Sequence, residues 1–431
     1  MAILNLEGYE QREILDPKVP QVLKEKFENS VGVCIRFECL KLSGSEYTLV
    51  NPAGVALSLE EYLKTEFGGS SVDPNIPSRN QPPLGFGTAF VVGDNFKLMA
   101  SAGHVVMNDS RTDIDDHIKK NGFYVVFGWQ LRQNSWPTSF PLSMVYHVEA
   151  KGIMVTQGSG PDFCFFRAKE TLDEKIKPLK FLEPRSTAPK AEDSVVTAGF
   201  PRGVPVKFAK GVIKTYPGSA WEGMRYAASV DKGCSGSPIF AFDNGQTVGD
   251  VLGIVIRGVM SDYRRDTSGK VVRVVLDGAI PGEWEDGQRI EAIRWCISSN
   301  AKVELFLDFP TNEDTVATNI KVTINGGNNT AFELERFVVR YTPDQILLPP
   351  FDISGQLHDK KILPVDVPGI SFQVVPDNNS PGLEIKLLSM RLRISGPDHK
   401  EGDAYFERYW SDDGTGYVNQ NETSIRFPRA I

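Results

Sequence analysis

At 431 residues the chain is longer than one ordinary domain needs, so two globular units are the starting expectation. Hydrophobic residues at 41% and charged residues at 24% are close to the soluble average and leave enough apolar side chain for a real core. A formal net charge of −8 argues against a general nucleic-acid binder, and no apolar run approaches the roughly 18 residues of a membrane span.

The opening residues, MAILNLEGYEQREILDP, lack a basic start followed by an apolar run and do not read as a secretory signal. Five scattered cysteines (Cys34, Cys39, Cys164, Cys234 and Cys296) are few and odd in number, which favours thiols in a reducing, cytoplasmic setting over a disulfide framework. Alternating apolar runs bounded by Gly, Pro, Asn and Asp predict strands over 31–40, 87–92, 123–129, 194–198 and 251–256. Between the first two, 58–67 opens with Ser58 and Glu61 in the spacing of a capping box and predicts a helix. The stretch GGSSVDPNIPSRNQPP, 68–83, is too rich in breakers for a regular element. Over 285–299, Ile290, Ile293 and Ile297 fall on one stripe and predict a second helix, ended by Asn300. From Ala301 the pattern is β only. VTINGGNNTAFEL reads as two strands around a Gly/Asn turn, and in LEIKLLSMRLRIS the inward face flips between Leu387 and Leu388, which implies a bulge or a strand crossing between sheets.

One decapeptide, DKGCSGSPIF over 231–240, sets Cys234 beside Ser235 between Gly233 and Gly236. Glycine at 233 would let the N–H groups of Gly233 and Ser235 converge as an oxyanion hole, although Gly, Ser and Pro also suit a plain surface turn. A serine hydroxyl needs a base, and the chain has five histidines: His104, His117, His147, His358 and His399. The base in turn needs an acid to orient it. Asp162 precedes the apolar run Phe163–Phe166, whereas Asp109, Asp113, Asp115 and Asp116 lie in a polar run.

Gly233-Cys234-Ser235-Gly236-Ser237-Pro238 resembles the nucleophile loop of trypsin-like, chymotrypsin-fold serine proteases. The segment Ser101-Ala102-Gly103-His104-Val105 resembles that family's Thr-Ala-Ala-His-Val, and Gly85–Val92 resembles the strand leading into it. Asp162 stands where the family has a buried aspartate at a strand start, TAGFPRG over 197–203 resembles a turn of its bacterial-type members, and VLGIVIRG over 251–258 resembles the strand lining the primary specificity pocket. The order His, Asp, Ser is that of chymotrypsin-type enzymes.

The resemblance spans about residues 28–300 and implies a catalytic triad of His104, Asp162 and Ser235, with Gly233 and Ser235 forming the oxyanion hole. It places Ser235 in the attacking position and Cys234 in place of the family's Asp or Asn, so activation through a new N-terminal ammonium should not carry over. The pocket base falls at Ser229, with Val255, Ile256 and Arg257 beside it; Ser229 supplies no charge, and Asp231 is expected to point away or to solvent. The implied fold is mainly β: a double β-barrel of the chymotrypsin type followed by a C-terminal β-sandwich. The expected boundaries are an N-terminal extension over 1–27, the protease domain over 28–300 with an insertion at about 43–84, and a separate domain over 301–431. The implied function is an intracellular serine endopeptidase acting on polypeptides, with no metal or organic cofactor, no membrane and no nucleic acid. Residues 301–431 would be a docking module for a regulatory protein partner. The alternative is a non-catalytic scaffold on the same fold.

Overall fold

Runs of buried apolar side chains set the strand positions in the computed structural model. The structure describes residues 12–13, 19, 21–50, 57–76, 78–92, 98–111, 113–131, 135–150, 153–155, 162–182, 189–216, 223–243, 247–257, 263–274, 284–290, 293–308, 317–325, 331–333, 337–340, 350–364, 367, 369–375, 385–398, 405–418 and 425–426. The chain divides into two compact units, Met1–Ile290 and Glu291–Ile431.

In the first unit, β1 (Val31–Arg36) buries every side chain but its last, because it is the middle of a sheet covered on both faces. Around it run β2 (Gly85–Val92), β3 (Leu98–Ser101), β4 (Phe123–Phe127), β5 (Val145–Val148), β6 (Ile153–Val155) and β7 (Cys164–Phe166). They form one antiparallel sheet in the order β6-β7-β3-β2-β1-β4-β5, a half-barrel. The second sheet comprises β8 (Ser194–Gly199), β9 (Lys207–Thr215), β10 (Met224–Ala227), β11 (Pro238–Asp243), β12 (Thr247–Arg257) and β13 (Glu285–Arg289). Its order β9-β8-β11-β12-β13-β10 returns to β9 through the β9–β10 pairing, which closes a six-stranded barrel. Closure leaves no unpaired edge within the ring.

This architecture is the mainly β, chymotrypsin-like double barrel that the sequence leads one to expect. The N-terminal residues fold onto it: Arg12–Glu13 pairs with β9, and a helix at Gln21–Glu28 buries Leu23 and Phe27, the latter meeting Phe240 edge-on at 5.2 Å.

Between β1 and β2 the helix Leu59–Glu66 starts as its capping signal implies. Ser58 accepts a hydrogen bond from the Glu61 N–H at 3.2 Å, and Glu61 reaches back to the Leu57 N–H at 2.6 Å. The breaker-rich segment after it is irregular but well anchored. Val72 and Ile76 join Leu59, Leu63, Val204, Tyr263 and Val271 in a small apolar cluster of their own.

The helix expected over 285–299 is not formed. Glu285–Arg289 is a strand and only Arg294–Ile297 forms a short 3-10 turn. The barrel needs a strand between β12 and β10, and the ladder that closes it outweighs the spacing of three isoleucines. Gly287, packed closely under the side chains of Ile239 and Met224, is in addition a poor helix former.

Among its described residues the second unit contains two antiparallel sheets, an extra β region after the double barrel. One contains Phe351–Asp352, Lys302–Asp308, Ile385–Ser395 and Tyr405–Val418 in that order. The other centres on Ala317–Asn325, which pairs with Ala331–Glu333, Phe337–Arg340 and Gly369–Val375. The bulge expected at 387–388 is present: the register steps from Leu387 opposite Gly416 to Ser389 opposite Ser411.

A turn at Pro201–Gly203, directly after β8, has two consecutive residues in the left-handed region, Arg202 at φ 52° and Gly203 at φ 73°. A side chain on Gly203 would overlap the Gly85 backbone of β2. Gly203→Ala is therefore expected to lower stability by about 2 kcal/mol or more. Urea denaturation followed by tryptophan fluorescence checks this; an unchanged midpoint would contradict the close approach.

Candidate active site

His104 lies in a 3-10 turn, Gly103–Val105, that follows β3. Pairing of β7 with β3 sets Cys164 opposite Ser101, and carrying that register two residues on brings Asp162 to the level of Gly103. The pair meets accordingly. Asp162 Oδ2 lies 2.9 Å from His104 Nδ1, and Asp162 Oδ1 accepts the His104 backbone N–H at 2.9 Å. An ionised carboxylate only accepts, so Nδ1 carries the proton and Nε2 of the neutral ring is left as the basic nitrogen.

Two further groups hold Asp162. Arg111 Nη1 stands 3.3 Å from Oδ2, and Gln288 Oε1 on β13 accepts the Asp162 N–H at 3.2 Å. Burial pushes the Asp162 carboxyl upward, but hydrogen bonds and charge from His104, with charge from Arg111, outweigh it and hold the group below the usual aspartate value. Neither Arg111 nor Gln288 carries a sequence signal; each reaches the site through long-range packing. The rival acids have other employment. Asp115 caps the helix Asp116–Asn121, Asp113 pairs with Lys119, Asp116 is almost fully exposed, and Asp109 is exposed. His117 pairs with Glu38, His147 bonds the Asn121 carbonyl, His358 lies on the helix Ser354–Asp359, and His399 lies outside the described residues.

The loop carrying Ser235 is laid onto the half-barrel by Thr88 of β2. The Thr88 N–H donates to the Ser235 carbonyl at 2.9 Å, and Thr88 Oγ1 donates to the Gly233 carbonyl at 2.8 Å while accepting the Phe200 N–H at 3.2 Å. Ser101 Oγ donates to the Thr88 carbonyl at 2.7 Å. Gly236, at φ 89°, has no room for a Cβ against Thr88 and Ser101. Ser235 is thus set beside the Ser101–Ala102 segment that leads into His104. Its hydroxyl donates to the Ile256 carbonyl at 3.2 Å, so in this rotamer its proton is aimed there and not at the imidazole.

Gly233, at φ 91°, rests on the Phe200–Gly203 turn, where a Cβ would stand 2.5 Å from the Phe200 carbonyl oxygen. Among the described residues, neither the Gly233 nor the Ser235 N–H donates a hydrogen bond. Cys234 is 4% exposed and lies near Tyr226.

At the expected pocket, Ser229 is buried and accepts a hydrogen bond from Arg273 Nη2 at 3.0 Å, a partner the sequence does not announce. Val255 is buried and backbone-paired with Gly236 and Ser237; Ile256 is half-buried; the Arg257 side chain and Gly258 lie outside the described residues. Of the two alternatives expected for Asp231, away from the pocket or out to solvent, its 6% exposure rules out the second; its carbonyl accepts the Cys234 N–H.

Residues 87–249 match the trypsin-like peptidase domain family. This part of the chain is a trypsin-like peptidase domain. The chain lacks disulfides: all five of its cysteines are buried thiols. Solved structures similar to the chain include a thermostable serine protease, AL20, from an extremophilic microorganism, 14% identical with a TM-score of 0.31 over 47% of this chain and 83% of that one. Human heparin binding protein is 11% identical with a TM-score of 0.31 over 49% of this chain and 83% of that one. No curated protein matches the sequence.

Within the peptidase unit, Glu285 on β13 is fully buried, and neither of its carboxyl oxygens has a hydrogen-bond partner among the described residues. Burial, then the Asp231 and Asp286 carboxylates, push its pKa up to about 9 from 4.5. A carboxyl raised in the folded chain contributes most stability below the unfolded value, and that contribution is lost as pH rises from 4.5 toward about 9. Glu285→Gln is neutral throughout, so it should gain on the wild type in urea midpoint near pH 8.5 and match it near pH 5. The same offset at both pH values would refute a titrating Glu285.

Proposed function

We propose that the peptidase unit is a serine endopeptidase working through an acyl-enzyme, with Ser235 as nucleophile, His104 as general base and acid, and Asp162 as the group that orients and stabilises the imidazole. The observation carrying this reading is the doubly hydrogen-bonded Asp162–His104 pair, with the Ser235 loop fastened by Thr88 against the segment that leads into His104. Rotation about the Ser235 side chain takes Oγ off the Ile256 carbonyl, and His104 Nε2 then accepts its proton as Oγ attacks the scissile carbonyl. Charge on the tetrahedral intermediate falls to the N–H groups of Gly233 and Ser235, already turned away from other acceptors. His104 next hands the proton to the leaving amine, and a water repeats the sequence on the acyl-enzyme. No step calls on a metal or organic cofactor. Five buried thiols suit a reducing compartment, which supports cytoplasmic action. Among the described residues no helix is long and apolar enough to cross a membrane.

A fluorophosphonate should label the wild type, and Ser235→Ala should not label. Ser235→Ala and His104→Ala should each lose peptide cleavage by ~10⁶-fold with the fold retained, because the triad acts as a unit. Cleavage by purified Ser235→Ala would overturn the assignment, and a wild type that never labels would favour a binding role for the fold.

The substrate side chain before the scissile bond would enter beside Ser229, Val255, Ile256 and Arg257. Ser229 brings no carboxylate, and the Arg273 guanidinium beside it repels a second cation. Apolar or small uncharged residues are expected first, acidic ones second and Lys or Arg last, with steps of ~1–3 kcal/mol per misfit. A positional peptide library that returned Lys or Arg first would reverse this order.

A further inference from the structure

We infer that Glu66, in the segment between β1 and β2, is a positioning residue for the oxyanion loop: its carboxylate clamps Arg202 and Lys232 and so fixes the backbone that presents the Gly233 N–H. This rests on the serine-peptidase reading of Ser235.

The clamp is continuous from helix to loop. Glu66 closes the helix Leu59–Glu66, and its Oε1 and Oε2 lie 3.0 and 2.9 Å from Arg202 Nη1. The same Oε1 accepts a hydrogen bond from Lys232 Nζ at 3.2 Å. Lys232 immediately precedes Gly233. The Arg202 backbone N–H donates to the Lys232 carbonyl, so one residue grips the loop through its main chain and is itself gripped through its side chain. The Arg202 side chain is only 2% exposed, and its guanidinium lies over Tyr62 at 5.8 Å and Tyr263 at 5.3 Å. A buried guanidinium without its counter-charge is costly, so the arginine keeps this pose only while Glu66 is ionised beside it. Burial raises the Glu66 carboxyl, and the charges and hydrogen bonds of Arg202 and Lys232 more than reverse that, leaving it below the usual glutamate value.

Strain at the turn explains what the clamp opposes. Arg202 is held at φ 52°, a region a long side chain enters only when its surroundings over-determine it. Gly233 has the Arg202 N–H, the Gly203 N–H and the Phe200 carbonyl packed against its missing Cβ, so any relaxation of the turn moves Gly233 directly. The Glu66 helix is anchored by Leu59 and Leu63 in the small apolar cluster, which also takes in Val204 at the end of the turn and so ties helix and turn together.

The test compares Glu66→Gln, Glu66→Asp and Lys232→Met with wild type in the full chain. Measured quantities are kcat and KM on a short peptide and the affinity for a peptide aldehyde, whose hemiacetal oxygen occupies the oxyanion position. Glu66→Gln should lower kcat by about tenfold or more with KM within about twofold, since misplacing a transition-state donor costs turnover more than ground-state binding. Aldehyde affinity should fall in parallel, and Glu66→Asp should recover part of both. Lys232→Met, at an exposed side chain that leaves the fold undisturbed, should show the same split at smaller size, which keeps the inference testable if Glu66→Gln folds poorly. An active wild type beside Glu66→Gln and Lys232→Met variants of unchanged kcat and aldehyde affinity, whatever their melting temperatures, overturns the inference alone. A wild type that neither labels with fluorophosphonate nor cleaves removes the serine-peptidase reading, and the inference with it.

Discussion

The peptidase unit depends on one threonine. Thr88 belongs to the half-barrel, yet its N–H and hydroxyl hold the loop of the closed barrel that carries Ser235, and its carbonyl is in turn held by Ser101, three residues before His104. The two halves of a site spread over separate sheets are thereby referred to a single backbone position. Serine, with no methyl, would fill this place less firmly, and valine would leave two buried backbone groups without partners. Glycines at 199, 233 and 236 are the complement of that threonine: Gly199 leaves room for the side chains of Ser237 and Thr88, and Gly233 and Gly236 let main chains lie close.

Charge in the peptidase unit is distributed by partners more than by depth. Asp162 and Glu285 are both buried carboxyl groups. Asp162 has the imidazole and a guanidinium against it and is held ionised; Glu285 faces other carboxylates and is held neutral. One protein thus keeps one buried acid as an anion and another protonated at the same pH, because only the first has cationic partners to offset the cost of burial. The helix Leu59–Glu66 extends this logic, because Glu66 serves a cation on the turn and a cation on the loop together.

What could be read from the sequence was what short-range physics constrains. Alternation of apolar residues marks β2, β4 and β8, a Ser and a Glu three apart mark the start of the helix at 59, and a flipped alternation marks the bulge at 387. His104, Asp162 and Ser235 stand out because small residues and strand starts surround them. The 285–289 strand was missed because barrel closure is a property of the whole sheet, and a stripe of isoleucines cannot report it. Arg111, Gln288 and Arg273 were invisible for a similar reason: each meets its partner across many residues of chain, 51 in the case of Arg111, through contacts made only by the folded sheets. The burial of Asp231 likewise leaves no trace in neighbouring residue types.

The buried thiols have a consequence of their own. Cys34 in β1 and Cys164 in β7 are fully enclosed, and burial raises both far above the ordinary thiol value, while Cys164 also donates to the Ala102 carbonyl. Only a thiolate reacts with alkylating agents or oxidants, so both sulfurs are silent while their strands stay paired. Each therefore acts as a timer: the moment at which it becomes modified records the moment at which its part of the sheet came apart. Modification of Cys34 and Cys164 accordingly has to wait for local opening of the strands that enclose them.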